Sequence, residues 1–439
     1  MITPRQHLSA SGLLSTIRQR FTSIPDGRTG TPPICLPDAL MSGLAVFGLK
    51  CPSLLQFDQQ RRDPIVEYNL HTLYGVEQVP CDTQLRTILD PVDPRYLRPA
   101  FKAVFAQAQR GKVLEEYVFF NGRYLLALDG THFFASSAVS CPHCGVQKAG
   151  TEEERYYHQL LGAALVHPAL KEVIPLAPEP IVRADGQTKN DCEHNAAKRF
   201  MAHTRREHPH LPLITVADTL YANAPFIKEL QEVDIGFILG VKPTSHQALF
   251  KDAQQAIDAG RGHTLEIVDA DDARITHRFR WIHHLSLNKS HPDLRINFLE
   301  YGQIGPKKNQ HFTWITDQPL TPDTVYTIMK GGRARWKIEN ETFNTLKNQG
   351  YHLEHNYGHG KQYLSSVFAM LTMLAFLVDQ LQKRCCPLFQ QALHKHHSMR
   401  GLWDKMRAFF LSFTIESWTT FFQALICGQG RRVLTPDTS

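Results

Sequence analysis

The sequence lacks the features that mark secreted and membrane proteins. Its nine cysteines form no regular framework, and the adjacent pair Cys385-Cys386 argues against a disulfide scaffold, so we expect a reducing cytosol. The first five residues are not followed by the apolar stretch of a signal peptide. The most apolar run, residues 363–378, is shorter than the ~20 residues of a membrane span. We therefore expect a cytoplasmic protein without a membrane partner, in which this run forms a buried core helix.

The chain also lacks a strong excess of either charge. Lys and Arg number 48 and Asp and Glu number 42 among 439 residues, which gives a net charge of +6. This balance is compatible with a nucleic-acid partner without requiring one. Because 42% of the residues are hydrophobic, the chain can bury a large core and should contain two or three domains.

Residues 1–115 are predicted to be mostly helical. The pattern that starts at Cys81 indicates a short helix with Asp82 or Thr83 as its N-cap. Its polar face is predicted to carry Gln84 and Arg86. Two interpretations remain open: this helix reads a DNA groove, or it belongs to a helical bundle with a solvated face.

From about residue 120 the pattern changes to short apolar runs that are typical of buried strands. Three predicted strands are followed by helix, strand, helix and strand, over residues 124–129, 158–166, 172–182, 192–208, 213–218, 224–233 and 235–241. Short loops make the first three strands antiparallel neighbours, whereas helical crossovers make the later strands parallel. This is the order of an RNase H-like α/β domain, a mixed sheet flanked by helices. Asp129 and Asp218 end the first and fourth strands, and those ends are adjacent in this topology.

The remaining segments complete the predicted domain organisation. Residues 243–312 alternate in hydrophobicity and are predicted to form an inserted β-rich subdomain. The helix that carries Glu339 is expected to end near Gly350, before a long helix over residues 361–383. The predicted units are a helical N-terminal domain (1–115), a first core part (120–242), the insertion (243–312), a second core part (313–383) and a helical C-terminal region (384–439).

The segment from Arg335 to Glu339 (RWKIE) places an acid on a helix that carries cations. Carboxylates are poor partners for DNA, so this acid indicates another role, although an ordinary amphipathic helix is the alternative. Three acids, Asp129, Asp218 and Glu339, are the ligand type that Mg²⁺ or Mn²⁺ prefers. Two such ions can activate a nucleophilic oxygen and stabilise the leaving oxygen of a phosphodiester, while cations hold the flanking phosphates.

These motifs resemble those of bacterial insertion-sequence DDE transposases that carry a β insertion before the glutamate helix, the group typified by insertion sequence four. The resemblance rests on residues 128–131 (LDGT), 216–223 (VADTLYAN) and 335–347 (RWKIENETFNTLK), and it covers roughly residues 120–380. It implies cut-and-paste transposition, in which strands are hydrolysed at the element's ends and the freed 3′-hydroxyl attacks target DNA.

The resemblance also implies ligands, partners and roles. It implies that Asp129, Asp218 and Glu339 are catalytic and hold two Mg²⁺ or Mn²⁺ ions. It implies double-stranded DNA as the partner, both inverted-repeat ends and target, with the N-terminal region on the ends and a homodimer in the synaptic complex. The predicted DNA contacts are Arg335, Lys347, Lys337, Arg333, Arg86 and Gln84. Two alternatives remain open: a catalytically silent DNA-binding protein derived from a transposase, and an RNase H-fold nuclease without strand transfer.

The chain departs from the family's helix signature of Tyr, then Arg, Glu and Lys. Gly332 stands at the tyrosine position, with Tyr326 as another source of that contact, and Lys347 is one place late. Glu341 is therefore a rival to Glu339. Residues two apart on an α-helix point about 200° apart, so only one of these acids can face the aspartates. We prefer Glu339, because its spacing from the arginine is intact and Ile338 can anchor the helix.

A Cys-x-x-Cys motif, Cys141 to Cys144, lies in the long loop after the first strand. Cys192 and His158 are expected near the same end of the sheet. The sequence thus predicts a structural zinc site formed by Cys141, Cys144, Cys192 and His158. His132, His143 and His194 are alternatives to His158, and three reduced cysteines without a metal are the other interpretation. The histidines from His352 to His359 are interpreted as a polar turn, with a phosphate or metal contact as the alternative.

Overall fold

Six α-helices precede the first strand among the described residues, and the pattern of residues 1–115 predicts a mostly helical region. They are α1 (Ala10–Phe21), α2 (Leu36–Gly48), α3 (Leu54–Gln60), α4 (Pro64–Tyr74), α5 (Asp82–Leu89) and α6 (Arg98–Arg110). The computed structural model describes residues 6–183, 192–306 and 309–428. The predicted turn Asp185-Gly186, the predicted caps Asn190 and Asp191, and the last residues of the C-terminal region lie outside these described residues.

Helix α5 confirms the predicted helix but has a different N-cap. The cap is Cys81 rather than Asp82 or Thr83. The side chain of Gln84 accepts a hydrogen bond from the backbone N–H of Cys81 at 3.1 Å, which closes the helix one residue earlier than expected. Its apolar face is buried, as the spacing predicts.

The central sheet has the predicted RNase H-like strand order. Its first part comprises β1 (Val118–Phe120), β2 (Arg123–Ser136), β3 (Gly145–Gln147), β4 (Arg155–Val166), β5 (Ile174–Pro175), β6 (Glu179–Ile181), α7 (Glu193–Glu207), β7 (Leu213–Ala217), α8 (Ala224–Glu232) and β8 (Gly236–Gly240). Strand β2 pairs antiparallel with β4 and parallel with β7, and β8 continues the parallel part. The fold is therefore the α/β architecture with a mixed sheet that the order of elements predicts.

The third predicted strand, residues 172–182, is present only as the two short segments β5 and β6, both paired with β4. Prolines at positions 175, 178 and 180 have no backbone N–H to donate, and proline is confined to the edges of sheets. This explains why a continuous apolar run does not become one long strand.

The inserted region contributes one helix and four strands. They are α9 (Gln247–Asp258), β9 (His263–Val268), β10 (Thr276–Asn288), β11 (His291–Ile304) and β12 (Gln310–Thr316). The strands were predicted, whereas α9 was missed. Strand β12 pairs antiparallel with β8, so the four strands extend the core sheet to the order β3-β4-β2-β7-β8-β12-β11-β10-β9.

The C-terminal part is helical. A nearly continuous helical segment is formed by α10 (Val325–Ala334), a π-helical stretch (Ile338–Phe343) and α11 (Asn344–Asn348), and it is followed by α12 (Leu364–Cys385), α13 (Pro387–His396), α14 (Met399–Ser412) and α15 (Trp418–Cys427). Helix α12 is long and apolar enough to cross a membrane, but 94% of its apolar window is buried within the protein. Helices α2, α5 and α6 pack on it, which confirms the predicted buried core helix.

Asp90, at the end of α5, holds the start of α12. Its carboxylate accepts hydrogen bonds from the backbone N–H groups of Lys361 at 2.8 Å, Gln362 at 2.9 Å and Leu364 at 3.2 Å. Its carbonyl oxygen accepts from the N–H of Tyr363 at 3.0 Å. The first N–H groups of a helix have no partner within the helix, and Asp90 accepts from that of Leu364, the first residue of α12, and from the three residues before it.

We expect Asp90→Ala to lower the free energy of unfolding by about 1–2 kcal/mol, because several backbone donors lose their acceptor at once. The matched control is Asp63→Ala, which removes the single N-cap bond from Ile65 in α4 and should cost less. Chemical denaturation of both variants measures the difference, and equal losses would contradict the proposed role of Asp90.

Candidate metal centre

Asp129 lies on β2, and Asp218 directly follows β7, the parallel neighbour of β2. Strand β2 pairs with β7 from Tyr124 opposite Leu213 to Ala127 opposite Val216. Every pair in this register is separated by 89 positions, the same separation as Asp129 and Asp218. The structure thus places these two aspartates side by side, as the topology predicts.

The two aspartates differ in their local setting. Asp218 follows the last residue of β7, and its carboxylate accepts a hydrogen bond from the backbone N–H of Leu220 at 2.9 Å. Asp129 does not end its strand, contrary to the prediction that the first strand ends at this residue. Strand β2 continues to Ser136 because its antiparallel pairing with β4 persists beyond the end of β7. Asp129 therefore lies at the point where the parallel partner of β2 ends.

Glu339 faces Asp129 across Arg335. A guanidinium nitrogen (Nη1) of Arg335 lies 2.5 Å from Oε1 of Glu339 and 3.7 Å from Oδ2 of Asp129. Glu339 lies in the π-helical stretch, a wide turn that is rare and is frequent at functional sites. The charge of Glu339 acts on Asp129, whereas the charge of Glu341 acts on the amine of Lys337. The preference for Glu339 over Glu341 as the third ligand stays a prediction.

Burial and the neighbouring acids disfavour the charged form of Asp129. Burial, together with the charges of Glu339, Glu193 and Asp218, raises the pKa of Asp129 to about 7, although Arg335 opposes the shift. Such a cluster of oxygen ligands with excess negative charge suits a hard divalent cation, which would offset the repulsion. The residues present therefore fit a Mg²⁺ or Mn²⁺ site.

Glu193 is a fourth acid at this end of the sheet, and the sequence reasoning missed it. It lies in the first turn of α7 and accepts a hydrogen bond from the hydroxyl of Tyr221 at 2.5 Å. Burial raises its pKa, and the charge of Asp218 adds to the shift. The sequence did contain a signal for Glu193, because α7 was expected to begin near the active-site end of the sheet.

The cations on the glutamate helix have partners within the protein. Arg335 binds Glu339, as described, and Lys347 lies 2.8 Å from a carboxylate oxygen of Glu354. Lys337 donates to the carbonyl of Leu170 at 2.6 Å. Arg333 donates to the side chains of two glutamines on β11 and β12, Gln303 and Gln310. Contacts of Arg333, Arg335, Lys337 and Lys347 with DNA remain predictions, and each would exchange or share one of these bonds.

The two predicted DNA contacts of α5 also have local partners. Arg86 lies 3.3 Å from a carboxylate oxygen of Asp82, and its side chain is 44% exposed. Gln84 closes the N-terminus of the helix through Cys81. Their role in reading DNA stays a prediction.

The tyrosine position of the family signature has no room for a side chain. A Cβ atom on Gly332 would lie 2.5 Å from Nε1 of Trp314, a buried residue of β12. Tyr326 is not a replacement near the acids, since its ring packs on His277 and Phe279 of the insertion. The side chain of Trp314 thus explains why position 332 has a glycine rather than a tyrosine.

Three of the four predicted zinc ligands come together, and a different residue takes the place of the fourth. Cys141, Cys144, His158 and His359 place their ligand atoms within 4.8 Å of one another. Cys192 does not belong to this group: it is exposed at the N-terminus of α7, and His359 takes the place that was predicted for it. His359 was interpreted as part of a polar turn, yet its side chain is buried.

The alternative histidines make other contacts. His132 packs on Tyr157, His143 stacks on Tyr363, and His194 binds the carbonyl of Leu220.

Comparisons with known proteins identify the family of the chain. A family model described as "Transposase DDE domain" matches residues 121–377, more than half of the chain. Among solved structures, the chain is similar to the piggyBac transposase in a cryo-EM structure of its synaptic complex with hairpin DNA, at 11% sequence identity and a TM-score of 0.41, over 98% of this chain and 83% of that one. No curated protein matches the sequence. Because the family model covers more than half of the chain, the chain belongs to the DDE transposase domain family.

Proposed function

We propose that this protein is the transposase of a bacterial insertion sequence. It would hydrolyse phosphodiesters at the ends of the element and transfer the freed 3′-hydroxyl into target DNA. The observation that carries the proposal is the register between β2 and β7, which sets Asp129 beside Asp218, with Glu339 facing Asp129 across Arg335.

Asp129, Asp218 and Glu339 are the residues that would hold two Mg²⁺ or Mn²⁺ ions. Ions bound there supply Lewis acidity at the attacking and leaving oxygens of an in-line displacement. Each of the three carboxylates already has a partner that fixes its orientation. Gly130 N–H donates to Asp129 at 2.9 Å, Leu220 N–H to Asp218, and the Arg335 guanidinium to Glu339. The ligand groups are thus held in place by rigid elements before DNA binds.

Arg335 and Lys347 would contribute the contacts to the DNA backbone. Arg335 lies between two of the acids, so its guanidinium can contact a phosphate while still holding Glu339. Lys347 would exchange its ion pair with Glu354, a partly exposed acid, for a phosphate oxygen. The partner is double-stranded DNA, and we propose a homodimer that holds two transposon ends.

The test uses purified full-length protein and a short DNA duplex that carries the inverted repeats flanking the reading frame. We expect nicking at the repeat boundary that depends on Mg²⁺ or Mn²⁺, followed by joining of the 3′ end to a second DNA. Retarded migration of the DNA without nicking would instead indicate a catalytically silent DNA-binding protein. Cleavage without joining would select a nuclease, and either outcome overturns the proposal.

Glu193 provides a further prediction for this site. We expect Glu193→Gln to weaken Mn²⁺ binding on the order of tenfold, because one negative charge is removed beside Asp129 and Asp218. The matched control is Tyr221→Phe, which removes the hydrogen bond to Glu193 but keeps all four carboxylates. Titration of Mn²⁺ followed by electron paramagnetic resonance measures the affinities. Equal affinity in wild type and Glu193→Gln would show that this acid does not contribute to the ion site.

A further inference from the structure

The second cluster of potential ligands joins three separate parts of the chain. Cys141 and Cys144 lie in the loop that leaves β2, His158 lies on β4, and His359 lies between α11 and α12. Four potential ligands with two sulfur and two nitrogen atoms are a set that zinc binds in structural sites.

The distances between the ligand atoms match those of a tetrahedral zinc site. Bonds of about 2.3 Å to sulfur and about 2.0–2.1 Å to nitrogen, at tetrahedral angles, require about 3.8 Å between sulfurs and about 3.5–3.6 Å between sulfur and nitrogen. The sulfurs of Cys141 and Cys144 are 3.8 Å apart. Nε2 of His158 lies 3.4 and 3.5 Å from the two sulfurs, and Nε2 of His359 lies 3.4 Å from that of Cys144. A disulfide would instead need about 2.05 Å between sulfurs.

The surroundings hold these side chains in place. Cys144, His158 and His359 are 1%, 2% and 6% exposed, respectively. The imidazole rings pack on each other and on the rings of Phe133 and Phe134. Nδ1 of His359 is buried and has no hydrogen-bond partner. A hydrogen bond from Nδ1 therefore does not explain why this ring is buried. A metal bonded to Nε2 would explain why a histidine is placed there.

We propose that Cys141, Cys144, His158 and His359 bind one structural Zn²⁺ ion. Two thiolates balance the charge of the ion, so the site is neutral and suits a buried position. Four protein ligands close the coordination sphere, which fits a structural rather than a catalytic site. This zinc site is separate from the carboxylate cluster and does not depend on the proposed DNA chemistry.

The zinc site would connect the two segments that carry catalytic acids. The cysteines follow the strand of Asp129, and His359 follows the helical segment of Glu339. His359 is flanked by Gly358 and Gly360, with φ of 154° and 72°, a backbone region that favours glycine. Asp90 binds the backbone just after Gly360. The loop is therefore shaped to present His359, and zinc would fix it to the β2–β4 hairpin.

The experiment measures zinc in purified full-length protein by plasma mass spectrometry. We expect about one zinc per chain in wild type, loss of it in Cys144→Ser and His359→Ala, and retention in Cys192→Ser, the matched control outside the cluster. A strong chelator should lower the melting temperature of wild type and of Cys192→Ser. Wild type without zinc, or with a Cys141–Cys144 disulfide found by peptide mapping, would overturn the proposal.

A second measurement covers the case in which the variants fail to fold. Wild-type protein refolded with Co²⁺ should show the visible absorption of a tetrahedral site with thiolate ligands, and its absence would overturn the proposal. Asp129→Asn should keep its zinc, so failure of the zinc site and failure of the transposase assignment give different results.

Discussion

Glu339→Gln should reduce metal-dependent DNA cleavage on the order of a thousandfold or more. A carboxylate that holds a catalytic ion contributes several kcal/mol of transition-state stabilisation, and each 1.36 kcal/mol corresponds to a factor of ten in rate. The glutamine keeps the size of the side chain but removes the charge that faces Asp129. It also removes the ion pair with Arg335, which is 2.5 Å long in the structure.

The matched control for this experiment is Glu341→Gln, two residues away on the same helical segment. The charge of Glu341 acts on Lys337, whereas Glu339 contacts the arginine that bridges to Asp129, so loss of Glu341 should leave the cleavage rate nearly unchanged. Single-turnover cleavage of an end-bearing duplex measures both variants. If Glu341→Gln were the inactive variant, the assignment of the third ligand would be wrong.

Restoring the family's tyrosine at position 332 should destabilise this protein by about 3 kcal/mol or more. The Cβ atom alone would lie 2.5 Å from the indole nitrogen of Trp314, and a rigid buried ring cannot move aside cheaply. Replacing a glycine within a helix normally gains up to about 1 kcal/mol of helix propensity, so the clash must outweigh that gain. Gly332→Tyr should therefore not improve cleavage, although it completes the signature.

Two comparisons make this prediction specific. Gly302→Ala on β11 introduces a Cβ atom whose nearest neighbour is 4.0 Å away, so it should have little effect. Gly332→Ala should be less harmful in a Trp314→Ala background, because alanine lacks the ring atoms that the new Cβ atom would meet. Denaturant unfolding gives the free energies, and additive effects of Gly332→Ala and Trp314→Ala would contradict the proposed clash.

The strand order and the pair of aspartates could be predicted because both follow from short-range patterns. Apolar runs and helical crossovers determine which strands are parallel, and parallel strands bring their ends together. The length of β2 could not be predicted in this way. Whether a strand continues past Gly130 depends on its antiparallel partner β4, which is a long-range contact.

The places of Glu193 and His359 in the two clusters also depend on long-range contacts. Each lies near a predicted cluster only because a helix or loop returns to it from a distant part of the sequence. His359 is 215 residues from Cys144, and its position depends on two glycines and on the hydrogen bonds of Asp90. The sequence indicated the Cys-x-x-Cys motif and its partner His158, but it placed Cys192 where the structure has His359.

The packing of α12 has a consequence for how the protein can be divided. Helices α2, α5 and α6 cover this apolar helix, and Asp90 holds its first turn. Removing residues 1–115 would therefore uncover a helix with the length and composition of a membrane span, and the shortened protein should aggregate. Residues 1–115 and the core that carries the acids would accordingly have to be expressed together as one unit.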